Sequence, residues 1–282
     1  MRTRCAGAVS AILLPAILAC VTTTAAAGVV ATEDFESYGT GAFANGSSGG
    51  TGWASGWVIP GVVAPTVEAS GLSYSGGAIT INGGTRRLRQ DVSAVQTGAF
   101  FPAMRALDIV QTGTVYMSLL VRPVSVEDDD FYQFGLSDTN DNPEGSVLID
   151  SPATNSQYRV RNGTSGGSNL GVTVTDNVTA LLVLKVHKIS SNYTVTGFVN
   201  PTSLTEGDNL SVTPGAVSGY SQISHWVFRA ARIETTDEIE IDQIRIATTF
   251  SEAIVPEPAT CTFLGTGLVA ALLRRRRTRR RS

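Results

Sequence analysis

The stretch from Gly28 to Val255 contains no cysteine. The three cysteines of the chain, Cys5, Cys20 and Cys261, all lie in its terminal segments. Disulfides therefore cannot staple this body, and thiol chemistry finds no sulfur in it. Histidine is nearly missing as well. His187 and His225 are the whole supply, and neither has a partner at metal-ligand spacing, which argues against zinc. No Gly-x-Ser-x-Gly nucleophile turn and no phosphate loop occur. Gly265-Thr266-Gly267-Leu268-Val269-Ala270 has the formal pattern of a dinucleotide fingerprint. It follows two prolines instead of a strand and no βαβ unit surrounds it, so it is set aside. Positive charge is scarce in the body too: twelve basic residues face 23 acidic ones, a net charge of −11. A body this acidic repels nucleic acid. Sustained helical periodicity is the last absence. A body of 228 residues without cross-links must hold together through one hydrophobic core.

What the body does have is short β-branched and aromatic runs, cut about every ten residues by Gly, Asn, Asp, Ser and Thr clusters. That pattern predicts a sandwich or barrel of strands. The clearest run is Thr114 to Arg122, closed by Pro123. Others are Ala78 to Ile81, Phe131 to Leu136, Ser146 to Ile149, Tyr158 to Arg161, Tyr193 to Val199, His225 to Arg229 and Glu238 to Ile246. Leu181 to His187 is apolar on both faces and reads as a central strand. Gly39 to Trp57 is a glycine-rich loop with two tryptophans, which can plug it onto the sandwich edge. No fixed-period repeat is present.

The order of these pieces resembles the concanavalin A-like, laminin-G-like jelly roll of exported bacterial proteins. The residues that carry the likeness are Asp34-Phe35-Glu36-Ser37-Tyr38, Gly52-Trp53-Ala54-Ser55-Gly56-Trp57, Leu181 to Val186, Val199-Asn200-Pro201 and Ile241 to Ile246. The resemblance implies two antiparallel sheets in an all-β sandwich over 28–251. It also implies that the first and last strands lie side by side, with Phe35 near Ile244.

Three sets of residues are candidates for chemistry. Glu238, Glu240 and Asp242 alternate with Ile239 and Ile241, so the carboxylates share one strand face. Neighbours two apart are ~6.6 Å apart along a strand, near the carboxylate spacing of glycosidases, ~5 to 9 Å. The run is similar to the E-x-D-x-x-E strand of laminarinase-type hydrolases, but Gln243 stands where a second glutamate belongs. The plain alternative is the solvated face of an edge strand. Asp138, Asn140 and Asn142, with Asp128, Asp129 and Asp130 upstream, offer oxygens at alternate positions that suit calcium. Pro143 and Ile149 break the helix–loop–helix calcium pattern, and an Asx-rich turn is the alternative reading. The aromatics Trp53, Trp57, Trp226, Tyr74, Tyr132 and Tyr158 offer stacking faces for sugars or, more commonly, packing for a core. Trp53 and Trp57 are the candidate sugar contacts.

The two ends explain the missing basic residues. Arg2 and Arg4 precede an apolar run, Ala6 to Val21, and a small-residue ending, Ala25-Ala26-Ala27. This predicts a signal peptide over 1–27, cut after Ala27 by signal peptidase. Ile17-Leu18-Ala19-Cys20 is a looser match to a lipoprotein cleavage box. At the other end, 252–282 forms a tail. Pro256-Glu257-Pro258 is followed by an apolar segment, Ala259 to Leu273, and by seven arginines within Arg274 to Arg281. The apolar segment would span ~22 Å as a helix, a short transmembrane anchor against a hydrocarbon core of ~30 Å. Arg274, Arg275, Arg276 and Arg277 form a cytoplasmic stop by the positive-inside rule. Tripeptide, helix and arginine cluster together resemble the PEP-CTERM sorting signal. That resemblance implies processing by an exosortase and delivery to the cell surface or extracellular matrix. The reading from sequence is a non-enzymatic, exported structural or adhesive protein of an exopolysaccharide matrix, without a cofactor other than candidate calcium. A carbohydrate-binding module is the alternative, and a laminarinase-type glycoside hydrolase comes third.

Overall fold

Strands form here because β-branched and aromatic residues fit a pleated, half-buried surface, while Asn, Asp and Gly accept the turns between them. The computed structural model describes residues 28–255 apart from 61–62, 128, 140–142, 144, 151–156, 164–166, 190–191 and 219–221. The signal segment with its cleavage at Ala27, and the tail elements Pro256, Glu257, Pro258, 259–273 and Arg274 to Arg277, lie outside the described residues.

The fold is an all-β sandwich of two antiparallel sheets. The larger sheet has ten strands. Its order runs β15 (Ser211–Val212), β14 (Asn192–Val199), β13 (Ala180–Ile189), β8 (Val115–Ser125), β18 (Glu238–Ala247), β6 (Arg86–Asp91), β3 (Thr66–Ala69) and β2 (Gly41–Ala42). β1 (Val29–Glu33) pairs with the second half of β18, and β16 (Val217–Ser218) pairs with β14. The smaller sheet has six strands. They are ordered β12 (Ser168–Thr173), β11 (Gln157–Asn162), β10 (Gly145–Asp150), β9 (Phe131–Ser137), β17 (Ile223–Ala231) and β7 (Phe100–Gln111).

The main core lies between the sheets. Trp226 and Phe228 of β17 and Tyr132 and Phe134 of β9 meet Met117, Leu119 and Val121 of β8 and Ile239 and Ile241 of β18. Each such side chain contributes ~1.5 to 3 kcal/mol on burial. A second cluster covers the far side of the larger sheet. A hairpin, β4 (Ser73–Gly76) with β5 (Ile79–Asn82), and a short helix, α1 (Phe250–Ile254), pack there on Tyr116, Leu120, Leu181, Val183 and Phe198. The continuous apolar run in β13 follows from this. Leu182, Leu184 and Val186 face the main core, whereas Leu181 and Val183 lie under the hairpin and helix. β13 sits between β8 and β14, a central strand as its sequence predicts.

The first and last strands do lie side by side: Glu33 is opposite Ile244, with Phe35 just beyond. Three expectations need correction. β8 does not stop at Pro123 but runs to Ser125, with Pro123 opposite Ile239 beside a register shift. β18 is not an edge strand, because β8 flanks it on one side and β6 and β1 on the other. The sandwich passes 251, since Ala253 and Ile254 are buried in α1, which Thr249 caps by accepting from the Glu252 N–H. The twelve-residue β7 is a strand that sequence reading did not find. It is an edge strand, where Pro102 costs no ladder bond. The glycine-rich loop covers that edge through bridges of Trp53 with Leu107 and Val58 with Met104.

Candidate functional site

The tryptophans named from the sequence serve the interior. Trp57 is 1% exposed, so its faces are closed to a sugar ring. Its indole N–H donates to the Tyr38 hydroxyl (3.0 Å) and lies 3.4 Å from Glu33. Trp53 is partly exposed, but its N–H donates to the Thr32 carbonyl (2.8 Å). The Arg105 guanidinium lies over both rings, at 5.0 and 5.2 Å from their centroids. Trp226, Tyr74, Tyr132 and Tyr158 are buried as well. These rings form core packing, and the expectation of a sugar contact at Trp57 is corrected accordingly.

The β18 carboxylates do share one face, opposite the core-facing Ile239 and Ile241, but that face is not solvated. Glu240 is buried, with Arg87 at 2.6 Å on one oxygen and Arg122 at 2.5 Å on the other. Arg89 pairs with Glu238 at 2.8 Å. Asp242 lies buried beneath the hairpin and accepts from the Leu72 and Gln243 N–H groups at 2.8 and 2.7 Å. Burial pushes its pKa up to about 8, with Asp34 and Glu36 adding to the rise against those two hydrogen bonds. A hydrolytic pair must reach both sides of a glycosidic bond. Glu240 is clamped by two guanidiniums and Asp242 is covered, so this strand assembles no such pair.

Of the calcium candidates, Asp138 is described; its carbonyl accepts from the Ser224 hydroxyl. Asn140 and Asn142 lie outside the described residues. A cavity of about 260 Å³ opens between β1, β18 and α1, with Asp34, Ser118, Gln243, Arg245 and Ile254 in its wall.

The outer face of the six-stranded sheet gathers a different set. Register places Arg229, Gln133, Leu148 and Arg159 in one row across β17, β9, β10 and β11. Ala231, Phe131, Asp150 and Gln157 form the row on one side, and Val227, Gly135, Ser146 and Arg161 the row on the other. Phe131, Gln133, Ser146 and Leu148 are buried as a floor, and half-buried arginines lie over it. The Arg229 and Arg161 guanidiniums stand 4.9 and 5.8 Å from the Phe131 ring centroid. Arg229 donates to the Gln133 side-chain Oε1 at 3.3 Å, and the Gln133 side-chain amide donates to the Ser146 hydroxyl at 2.7 Å. Asp150 is shared by Arg159 (2.7 Å) and Arg232 (3.1 Å). Burial and neighbouring guanidiniums lower the pKa of Arg229; burial and Arg159 do the same to Arg161, against the pull of Asp150. Crowded guanidiniums over a fixed floor suit a planar anionic group such as a carboxylate. Sequence reading missed this face, although Arg159 and Arg161 alternate with the core residues Tyr158 and Val160.

No protein-family model matches the chain, and no curated protein matches it. Among solved structures, it is similar to the carbohydrate recognition domain of Emp47p at 10% identity and TM-score 0.38, covering 65% of this chain and 88% of that one. It is similar to basic winged bean lectin, solved with Tn-antigen, at 9% identity and TM-score 0.36, over 66% and 98% of the two chains. It is also similar to the CBM2 module of the evolved Dit of Lactobacillus casei BL23 phage J-1, at 13% identity and TM-score 0.39, over 79% and 96%.

Proposed function

We propose that the chain is an exported, non-catalytic carbohydrate-binding module that takes acidic polysaccharide on the outer face of its six-stranded sheet. The observation that carries this reading is the row of Arg229, Gln133 and Arg159 flanked by Arg161 and Phe131. Guanidiniums bind carboxylate or sulfate groups in a bidentate way, and a buried aromatic with ordered amide and hydroxyl groups fixes them in place. The body as a whole is acidic, with a net charge of −11 that already includes these arginines. A polyanion would therefore be steered to this face and repelled elsewhere. On this reading the signal segment leads the body across the membrane. The Pro256-Glu257-Pro258 tail with its arginine stop then passes it to an exosortase for display in an exopolysaccharide matrix.

The test is retention on a uronic-acid polysaccharide against a neutral β-glucan, at low and high salt. The acidic polymer should retain the protein, added salt should weaken retention, and Arg229→Ala should weaken it without lowering the melting temperature. Equal retention on both polymers, or none on the acidic one, refutes the proposal.

A further inference from the structure

Two four-residue turns of one design meet where β9 and β18 begin. In 127–130, Asp130 accepts the Glu127 N–H on Oδ2 (2.6 Å), while the Glu127 carbonyl accepts the Asp130 N–H at 3.4 Å. In 234–237, Asp237 accepts the Glu234 N–H on Oδ2, and the Glu234 carbonyl accepts the Asp237 N–H at 3.2 Å. One oxygen of each aspartate is thus used locally. The other oxygen of each, Oδ1, has no hydrogen-bonding partner in the protein, although Asp130 and Asp237 are both 0% exposed. Carboxylate oxygens of Asp129, Asp130 and Glu234 lie within 4.8 Å of one another, and the Asp237 side chain is within hydrogen-bonding reach of both Asp130 and Glu234. The Tyr132 hydroxyl, also fully buried, has no protein partner either. Burial raises its pKa, and Asp130, Asp237, Glu234 and Glu238 add to the rise.

Among the described residues, no Lys or Arg forms an ion pair with Asp129, Asp130, Glu234 or Asp237. Two buried carboxylates at close range cannot both be ionised without a counter-charge. A proton shared between Asp130 and Asp237 would relieve that pair alone. Glu234 also reaches Asp237 and would need a second proton, and the Tyr132 hydroxyl would still have no partner.

We propose that the two turns form a divalent-cation site, with Asp129, Asp130, Glu234 and Asp237 as carboxylate ligands and calcium as the ion. The donor set is all oxygen and anionic, which selects hard cations over zinc or copper. Ligands on two separate turns make an irregular cage. Calcium accepts that with six to eight oxygens, whereas magnesium demands a near-ideal octahedron. The ion ties the turn before β9 to the turn before β18. Phe131 directly follows Asp130, so the ion also anchors the start of the arginine face. The site does not depend on sugar binding and is tested apart from it.

The experiment is calorimetric titration of the full chain, stripped of metal with a chelator and then given calcium or magnesium, with melting curves alongside. We expect one calcium per chain, bound more tightly than magnesium. Calcium at a hundred times its Kd should raise the melting temperature by roughly 5 to 10 °C. Asp237→Asn should weaken calcium at least tenfold, and Asp108→Asn, exposed on β7, should not. Asparagine can still accept the Glu234 N–H and carries no repelling charge. In chelator, Asp237→Asn should therefore melt no lower than the parent, which shows that it folds. Three results overturn the proposal: no saturable heat or melting shift up to ~1 mM calcium, the upper range for extracellular sites; unchanged affinity in Asp237→Asn; or tighter binding of magnesium.

Discussion

Glu33 and Arg105 form an ion pair of 2.7 Å inside the sandwich, and neither side chain reaches solvent. Glu33 sits at the end of β1, Arg105 in the middle of β7, so the pair joins the two sheets. Tyr38 donates to Glu33 at 2.7 Å, Arg105 donates to the Ser55 carbonyl at 2.9 Å, and the Trp53 and Trp57 rings enclose the guanidinium. Burial raises the Glu33 pKa even against those hydrogen bonds and the Arg105 charge.

Removing one partner of such a pair leaves an uncompensated charge in the core. Arg105→Ala should therefore cost about 3 to 5 kcal/mol, read by urea unfolding. The double variant Glu33→Leu, Arg105→Met should recover most of that loss. If Arg105→Ala costs less than ~1 kcal/mol, the surface range, the pair is hydrated and the packing described here is wrong. Trp57→Ala belongs to the same test: it should cost about 3 to 5 kcal/mol as a core truncation.

Asp242 predicts a pH dependence of definite sign. Its pKa in the fold is about 8, well above the ~3.9 of an unfolded chain. Between those values the folded state holds a proton that the unfolded state has released. Stability therefore falls as pH rises through that window and levels off above it. Asp34 and Glu36, which add to the shift, sharpen the effect. Melting temperatures of the chelated protein should decline from about pH 5 to about pH 9, and Asp242→Asn should flatten the decline. A parent protein that gains stability over this range contradicts the assignment.

Much of the fold was legible, because each strand face has its own composition. β13 reads as central since both of its faces meet apolar layers. β6, Arg-Arg-Leu-Arg-Gln-Asp, hid its identity. Its outward arginines answer carboxylates on β18, a pairing visible only once the strands are neighbours. The same reason concealed the arginine face and the two acidic turns. Glu127 and Asp130 lie more than a hundred positions from Glu234 and Asp237, and no local period links them. Burial of Trp57 was equally hidden, since a tryptophan looks the same in sequence whether a sugar or an arginine covers it.

The glycine-rich loop makes a local prediction. Gly52 has φ +77°, and a Cβ there would meet the Val30 carbonyl oxygen at 1.9 Å, closer than any real contact. Gly207 has nothing within 4 Å and no positive φ. Gly52→Ala should cost roughly 1 to 3 kcal/mol, and Gly207→Ala should be near neutral or slightly stabilising. Equal effects of the two substitutions would mean that the loop does not pack against β1.

The proposed tail predicts separable roles for its parts. Each arginine at mid-bilayer costs about 2.5 to 3.5 kcal/mol, and on this proposal that cost is what would stop Arg274 to Arg277 from crossing. Neutral residues at those four positions remove the stop, so the protein should pass uncut into the medium. Glu257→Ala leaves the apolar segment and the arginines unchanged, so anchoring should persist while processing fails. A full-length precursor should then accumulate in the membrane. The measurement is a fractionated blot of the parent and both variants, tagged just after Ala27, in a host that encodes an exosortase. If the parent chain is found there only as an uncut membrane species, the sorting proposal fails and a simple tail anchor takes its place.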